Sequence, residues 1–252
     1  MAEFLGIIPA RYASTRFPGK PLADIKGKPM VMRVYERAKK ALDDVIVATD
    51  DKRIFNAVKE AGGKVVITAN DHPSGTDRCR EAMELYQSET GESFDVIINI
   101  QGDEPFIRAD QILLLMNSFQ DETVDIATLI KVVEDPGMIF DINKPKVVIN
   151  RKKEALYFSR SPIPFVRGYD NDEWFDRHIF YQHIGMYAYR ANVLKEITKL
   201  EQGILEKSES LEQLRWLENG YKIKTAITEY EAYGIDTPED LEHVLKLNIF
   251  KD

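Results

Sequence analysis

Residues 7–22 read IIPARYASTRFPGKPL, an apolar run opening into a loop with three cations, Arg11, Arg16 and Lys20, and no acid before Asp24. Guanidinium groups donate paired hydrogen bonds to phosphate oxygens, an ammonium acts as a point charge, and N–H groups after a strand can face an anion. The loop therefore suits a polyphosphate, with a solvated basic loop as the alternative. It follows neither common phosphate-binding pattern. No glycine lies between Gly6 and Gly19, which excludes GxGxxG, and Pro21 after Gly19-Lys20 excludes the P-loop, as does Ser14 in place of its first glycine.

Two acidic turns could complement that loop. In INIQGDEPFI, residues 98–107, Asp103 and Glu104 follow an apolar strand, and Gly102 permits a sharp turn. Mg²⁺ is commonly held by one or two carboxylates plus substrate phosphates, although Gly-Asp is also ordinary turn chemistry. In YGIDTPED, residues 233–240, Asp236 precedes the helix cap Thr237 and is left as a spare carboxylate. Together with Asp103 it could complete a metal clamp on an in-line displacement, and by itself it reads as a turn acid.

Four further groups are candidates. Ser74, Gly75 and Arg78 in HPSGTDR open a helix that could hold an anion or a base edge, or be a plain N-terminal turn. Arg160 and Arg167 lie seven residues apart in YFSRSPIPFVRG and could grip a carboxylate, or be surface arginines. His183 and Tyr187 in HIGMYAY share a strand face by the period of two, where a satisfied half-buried histidine is the alternative. Glu212 and Gln213 in SLEQLRWLENG sit early in a helix that could equally be a solvated face.

The elements that must position these residues alternate in type. Apolar strands are expected at Phe4–Ile8, Val45–Ala48, Val65–Thr68 and Val96–Ile100, with helices at Pro29–Leu42, to about Ala61, to about Ser88, and from an Asp110 cap. Near-continuous apolar strands separated by helices predict an α/β fold with a doubly wound, mostly parallel sheet, whose ligands bind beyond the carboxyl ends of the strands. Then the rhythm changes. A longer strand at Val124–Val133, a hairpin of Lys146–Asn150 and Ala155–Phe158, and a strand at His183–Tyr189 predict a β-rich segment of about 138–190 inserted within one domain, 1–252. Helices at Ala191–Leu200 and Ser210–Asn219, a strand at Lys222–Ile227 and a helix starting at TPED complete the reading.

Composition narrows the partners. The net charge is -8, which opposes broad binding to nucleic acid or an anionic membrane and makes the cationic loop a local feature. Cys79 is the single cysteine and the four histidines are scattered, so neither an intrachain disulfide nor a structural zinc site is expected. No apolar run reaches the ~18 residues of a membrane span, and the N-terminus lacks a basic region, so a cytoplasmic setting is expected.

The order IPARYASTRFPGKPL, VATD, HPSGTDR, NIQGDEP, YFSR, HIGMY, LEQLR and GIDTPEDL closely resembles the 3-deoxy-D-manno-octulosonate cytidylyltransferases, or CMP-Kdo synthetases, over nearly the whole chain. Gln182 departs from the arginine usual in the family, and 168–179 and 197–207 match less well. The resemblance implies a nucleotide-diphospho-sugar transferase-like fold. It also implies transfer of CMP from CTP to the anomeric hydroxyl of 3-deoxy-D-manno-octulosonate (Kdo), giving CMP-Kdo and pyrophosphate for lipopolysaccharide assembly. It places the nucleotide on Pro9, Ala10, Arg11, Arg16, Lys20, Ser74, Gly75 and Arg78, and Mg²⁺ on Asp103 and Asp236. It places the sugar on Gln101, Arg160, Arg167, His183, Tyr187, Glu212 and Gln213, and implies a homodimer formed through the inserted segment. On this reading Lys20 and the loop N–H groups hold the triphosphate, Arg11 steadies the β- and γ-phosphates and the departing pyrophosphate, Arg160 and His183 fix the sugar carboxylate, and Glu212 and Gln213 read hydroxyls. A cytidylyltransferase for another sugar acid, an NAD-dependent oxidoreductase and a non-catalytic nucleotide-binding protein are the rivals.

Overall fold

The computed structural model describes residues 2–14, 16–231 and 233–246, and the chain divides into two compact units. The first comprises 1–113 and 232–252, and the second Leu114–Glu231. The expected insertion at 138–190 falls wholly inside the second unit, which is wider.

In the first unit, β1 (Phe4–Ala10) is followed by α1 (Met30–Ala38), β2 (Asp44–Thr49), α2 (Lys52–Glu60), β3 (Val65–Ile67), α3 (Gly75–Thr90) and β4 (Val96–Asn99). The strands lie in the order β3-β2-β1-β4, all parallel. Leu5, Ile7 and Ile8 of β1 and Val45–Ala48 of β2 are 0% exposed, as continuous apolar strands require when both faces are covered. The expected apolar face of α1, Met30, Val31, Val34, Tyr35 and Ala38, is buried. Asp51 caps α2 by accepting from the Arg53 N–H, and Ser74 caps α3 by accepting from that of Asp77. α3 runs two residues beyond the expected Ser88 and ends at Gly91, φ +74°.

Helix α4 (Ala109–Ser118) carries the chain into the second unit. Asp110 lies inside its first turn, one position past the helix start at Ala109, and the Gln111 side chain accepts the Arg108 N–H at 3.1 Å.

The second unit contains β5 (Ile126–Val132), α5 (Pro136–Phe140), β6 (Lys146–Ile149), β7 (Ala155–Ser159), α6 (Trp174–Arg177), β8 (Tyr181–Arg190), α7 (Ala191–Ile197), α8 (Ile204–Glu209), α9 (Gln213–Glu218) and β9 (Ile223–Ile227). β5 is central, antiparallel to β8 and parallel to β9, while β6 and β7 form the expected hairpin and β6 extends onto β8. The sheet is therefore mixed here. Short α5 and α8 had no sequence expectation. A buried pair of Arg215 and Glu206 joins α8 to α9 through two bonds of 2.6 Å. The poorly matching stretch 168–179 folds around Trp174, which clusters with Val133, Ile139 and Phe180.

After β9 the chain returns to the first unit as α10 (Pro238–Lys246). Its start is the expected capping box: Thr237 Oγ1 accepts from Asp240 N, and Asp240 Oδ2 accepts from the N–H groups of Asp236 and Thr237. Among the described residues, no helix is long and apolar enough to cross a membrane.

Candidate active site

The first unit contains a cleft of about 280 Å³ beyond the carboxyl ends of β1 and β4. Every residue expected on the nucleotide side lines it: Pro9, Ala10, Arg11, Arg16, Lys20, Ser74, Gly75 and Arg78. Gln101, Asp103 and Asp236 line it too. Adjacent pairing of β1 with β4 brings the opening loop beside the GDEP turn. A Cβ on Gly102 would stand 2.8 Å from the Pro9 carbonyl oxygen, so only glycine permits that approach.

The two aspartates converge from remote parts of the sequence for a visible reason. Ile235 and Val244 pack with Ile25, Met30 and Phe106 in one buried cluster, and the Ile235 N–H donates to the Asp103 carbonyl at 2.9 Å. Because Asp240 caps α10, the Asp236 carboxylate is free for other partners. It takes Arg16 at 3.0 Å and Lys20 at 3.1 Å, while Asp103 takes Lys20 at 2.6 Å. The Lys20 ammonium, expected at the triphosphate, also joins both carboxylates here. Arg11 is exposed and has no hydrogen bond or ion pair among the described residues.

A pair of carboxylates that already shares one cation is an oxygen donor set suited to Mg²⁺. Among the described residues no cluster of three or more ligating side chains occurs, so two aspartates leave the remaining positions to phosphate oxygens and water. Glu104, beside Asp103, is different. Burial, with the Asp103 charge adding to it, pushes its carboxyl up to about 8.

Tyr12 is the hub of the basic loop, and sequence reasoning missed it. Its carbonyl accepts the N–H groups of Ser14 and Gly19, both at 3.0 Å, and the Arg53 guanidinium lies 3.3 Å from its ring centroid. Arg53 is held in turn by the Asp51 carboxylate. Gly19 has φ +73°, and a Cβ there would be 3.1 Å from the Tyr12 ring. No spacing in the sequence joins residues 12, 19 and 53.

On the far side of the cleft, Arg78 is buried and engaged. It donates to Thr68 Oγ1 at 2.6 Å and the Ala69 carbonyl at 3.1 Å, and pairs with Asp50 at 3.1 Å. This commits much of its guanidinium to holding the 68–69 backbone, in contrast to a freely presented base reader. His72, which lines the cleft, bonds the Glu81 carboxylate, which also accepts the Ala69 N–H at 2.9 Å. Burial presses the Glu81 carboxyl upward, but those two bonds outweigh it and hold it below the usual range. Asp50 and His72 lie in the stretches VATD and HPSGTDR that carry the resemblance, whereas Thr68 and Glu81 gave no signal.

The remaining sugar-side candidates belong to the second unit. His183 and Tyr187 share a face as expected, with ring centroids 5.3 Å apart. Tyr187 stands edge-on to Trp216 of α9 at 5.1 Å. Among the described residues the buried Gln213 Nε2 has no hydrogen-bond partner, and the buried Tyr187 hydroxyl interacts with Thr128. Burial, with the charge of nearby Glu212, pushes the Tyr187 phenol well above its ordinary range. Arg160 sits at the end of β7, its guanidinium donating to the carbonyls of Glu209, Ile142 and Ser210. Arg167 is exposed, and among the described residues it shares no bond with the others.

His183 is half-buried, and desolvation lowers its pKa from the ordinary 6.5 to about 3, which favours the uncharged imidazole. His183 Nε2 lies 3.1 Å from Thr128 Oγ1, whose hydroxyl also faces the Met186 carbonyl at 2.9 Å and the Ile184 carbonyl at 3.3 Å.

Comparison with known proteins agrees with this geometry. A family model described as Cytidylyltransferase matches residues 5–223. A 3-deoxy-manno-octulosonate cytidylyltransferase of Parabacteroides distasonis is 61% identical over 249 residues, covering 97% of this chain and 98% of its own. One from Bacteroides thetaiotaomicron is 58% identical over 244 residues, covering 96% of each. A solved structure of CMP:2-keto-3-deoxy-manno-octonic acid synthetase complexed with CTP is 42% identical and covers 98% of each chain, with a TM-score of 0.89.

Proposed function

We infer, from the premise that the chain belongs to the cytidylyltransferases, that it transfers CMP from CTP to the anomeric hydroxyl of Kdo and releases pyrophosphate. One observation carries the reading. A single cleft collects the three loop cations, the α3 N-terminus and two aspartates that share one ammonium.

Arg11, exposed on the loop, meets the β- and γ-phosphates and the departing pyrophosphate. Arg16 and Lys20 turn between the carboxylates and phosphate oxygens, so positive charge is already in place where negative charge develops. Asp103 and Asp236 would hold Mg²⁺. That ion, when bound, supplies Lewis-acid charge that lowers the pKa of the attacking hydroxyl. The Arg78–Asp50–Thr68 bonds fix the wall on which the base rests. For the sugar, Gln101, Arg160 and Arg167 supply hydrogen bonds, the two arginines supplying charge for the carboxylate. His183, Tyr187, Glu212 and Gln213 read hydroxyls. The site holds no side chain needed as a covalent nucleophile; positioning and charge account for the reaction.

The product suits lipopolysaccharide assembly from the cytoplasm. A homodimer through the inserted segment is supported by Ile142, Leu156, Phe165 and Ile179, each at least 60% exposed. Light scattering would measure it, and a monomer at working concentration would refute it. The functional test is pyrophosphate release with CTP, Mg²⁺ and Kdo, each omitted in turn. Release must require all three, and full release with another sugar acid but none with Kdo would overturn the substrate.

A further inference from the structure

We propose that Glu209, the last residue of α8, is the positioning residue of the sugar-acid site. It sets the placement of Arg160 relative to Glu212 and Gln213. The inference rests on the reading that those three residues bind Kdo.

Glu209 grips the end of β7 with its whole carboxylate. Oε1 accepts the Ser159 hydroxyl at 2.7 Å and Oε2 accepts the Arg160 N–H at 2.9 Å. The grip is returned: Arg160 Nε donates to the Glu209 carbonyl at 2.6 Å and Nη2 to the Ser210 carbonyl at 3.3 Å. Ser159 Oγ also accepts the Ser161 N–H at 3.0 Å, which continues the lock into the following loop. Side chain and main chain of both partners are therefore engaged, and one bond on each carboxylate oxygen leaves little freedom to rotate.

The point of attachment is unusual. Ser210, next in the chain, has φ +50° and ψ +49°, a left-handed conformation that non-glycine residues rarely adopt. After that turn Leu211 and Glu212 lead into α9, which begins at Gln213, with Leu214 N bonded to the Leu211 carbonyl. Arg160 holds the carbonyls on both sides of this bend, at Glu209 and Ser210. Fixing residues 209–210 to residue 160 thus fixes the distance from the Arg160 guanidinium to Glu212 and Gln213, two and three residues past the bend. Three of the five Arg160 N–H groups are spent on carbonyls, which leaves two for a carboxylate. Glu209 itself turns its charge to Ser159 and Arg160, with the Tyr157 phenol also beside it, and acts through the end of β7.

The test separates the two substrates. Glu209→Gln keeps the shape but can accept only one of the two hydrogen bonds. It should raise KM for Kdo about 10-fold while KM for CTP stays within about twofold. Ser159→Ala, a milder change that retains the carboxylate, should raise KM for Kdo about threefold, so a poorly folding Glu209→Gln does not end the test. In an Arg160→Lys background the effect of Glu209→Gln should shrink, because the group it positions is gone. Equal changes in both KM values, or an unchanged KM for Kdo in both variants, would overturn the inference. So would full additivity with Arg160→Lys. If Arg160→Lys itself left KM for Kdo unchanged, the sugar-site assignment would fall and this inference with it. A normal Glu209→Gln beside a defective Arg160→Lys would sink the positioning role alone.

Discussion

The proposed nucleotide side in the first unit and the proposed sugar side in the second are built on different physical terms. In the first, opposite charges meet at the rim of a cleft: Lys20 with Asp103 and Asp236, and Arg16 with Asp236. In the second, charged Arg160, Arg167 and Glu212 stand beside neutral groups: a His183 favoured uncharged, a buried phenol held protonated, and a buried amide nitrogen with no hydrogen-bond partner among the described residues. Charge attracts a polyphosphate through water and tolerates exposure. A sugar, rich in hydroxyls, gains discrimination only where unpaired polar groups are kept from water until it arrives.

The sharpest way to break this comparison is to remove charge from the first side. Asp103→Asn should keep the fold and reduce pyrophosphate release by at least about 100-fold, the usual scale for lost transition-state charge stabilisation. Near-normal turnover at saturating Mg²⁺ would deny the metal role. Next, Gln213→Leu should raise KM for Kdo about 10-fold and leave KM for CTP alone. Because the lost amide nitrogen is unpartnered, the unfolding midpoint should not drop, and a clear loss of stability would show that it had a structural partner.

A smaller effect concerns acid. The His183 pKa is held at about 3, below its ordinary 6.5, so the unfolded chain binds the proton more tightly. The stability this neutral ring contributes is complete above about pH 6.5 and is lost as pH falls toward about 3. Denaturant unfolding at several pH values should show a shallower acid-side loss for His183→Gln than for the parent, and parallel curves would contradict the assignment. The smallest effect is expected from Arg53→Ala. An exposed cation–π contact is worth roughly 0.5–1 kcal/mol, so KM for CTP should rise about two- to fivefold with kcat unchanged. No change in CTP affinity would mean that the loop holds its shape without the Tyr12 stack.

Much of the first unit was legible because its signals are local. Apolar runs announce parallel strands, Gly102 marks a close backbone approach, and Thr237-Pro238 with Asp240 announces a helix start that leaves Asp236 free. Short α5 and α8 were not legible, since five or six residues carry too little periodicity. The charge state of His183 was not legible either. A histidine in a strand reads the same whether solvated or enclosed, and the enclosure comes from packing that no spacing encodes.

Residue types and their order were enough to establish a parallel α/β layer, a basic loop suited to phosphate and two acids suited to a metal, because hydrophobic periodicity and formal charge are properties of the chain itself. Tertiary structure decided that Lys20 would join those acids, that Tyr12 would lie under Arg53, and that Arg160 would be locked to Glu209. Such pairings depend on distances across tens to hundreds of residues of sequence, and only the packed core sets those distances.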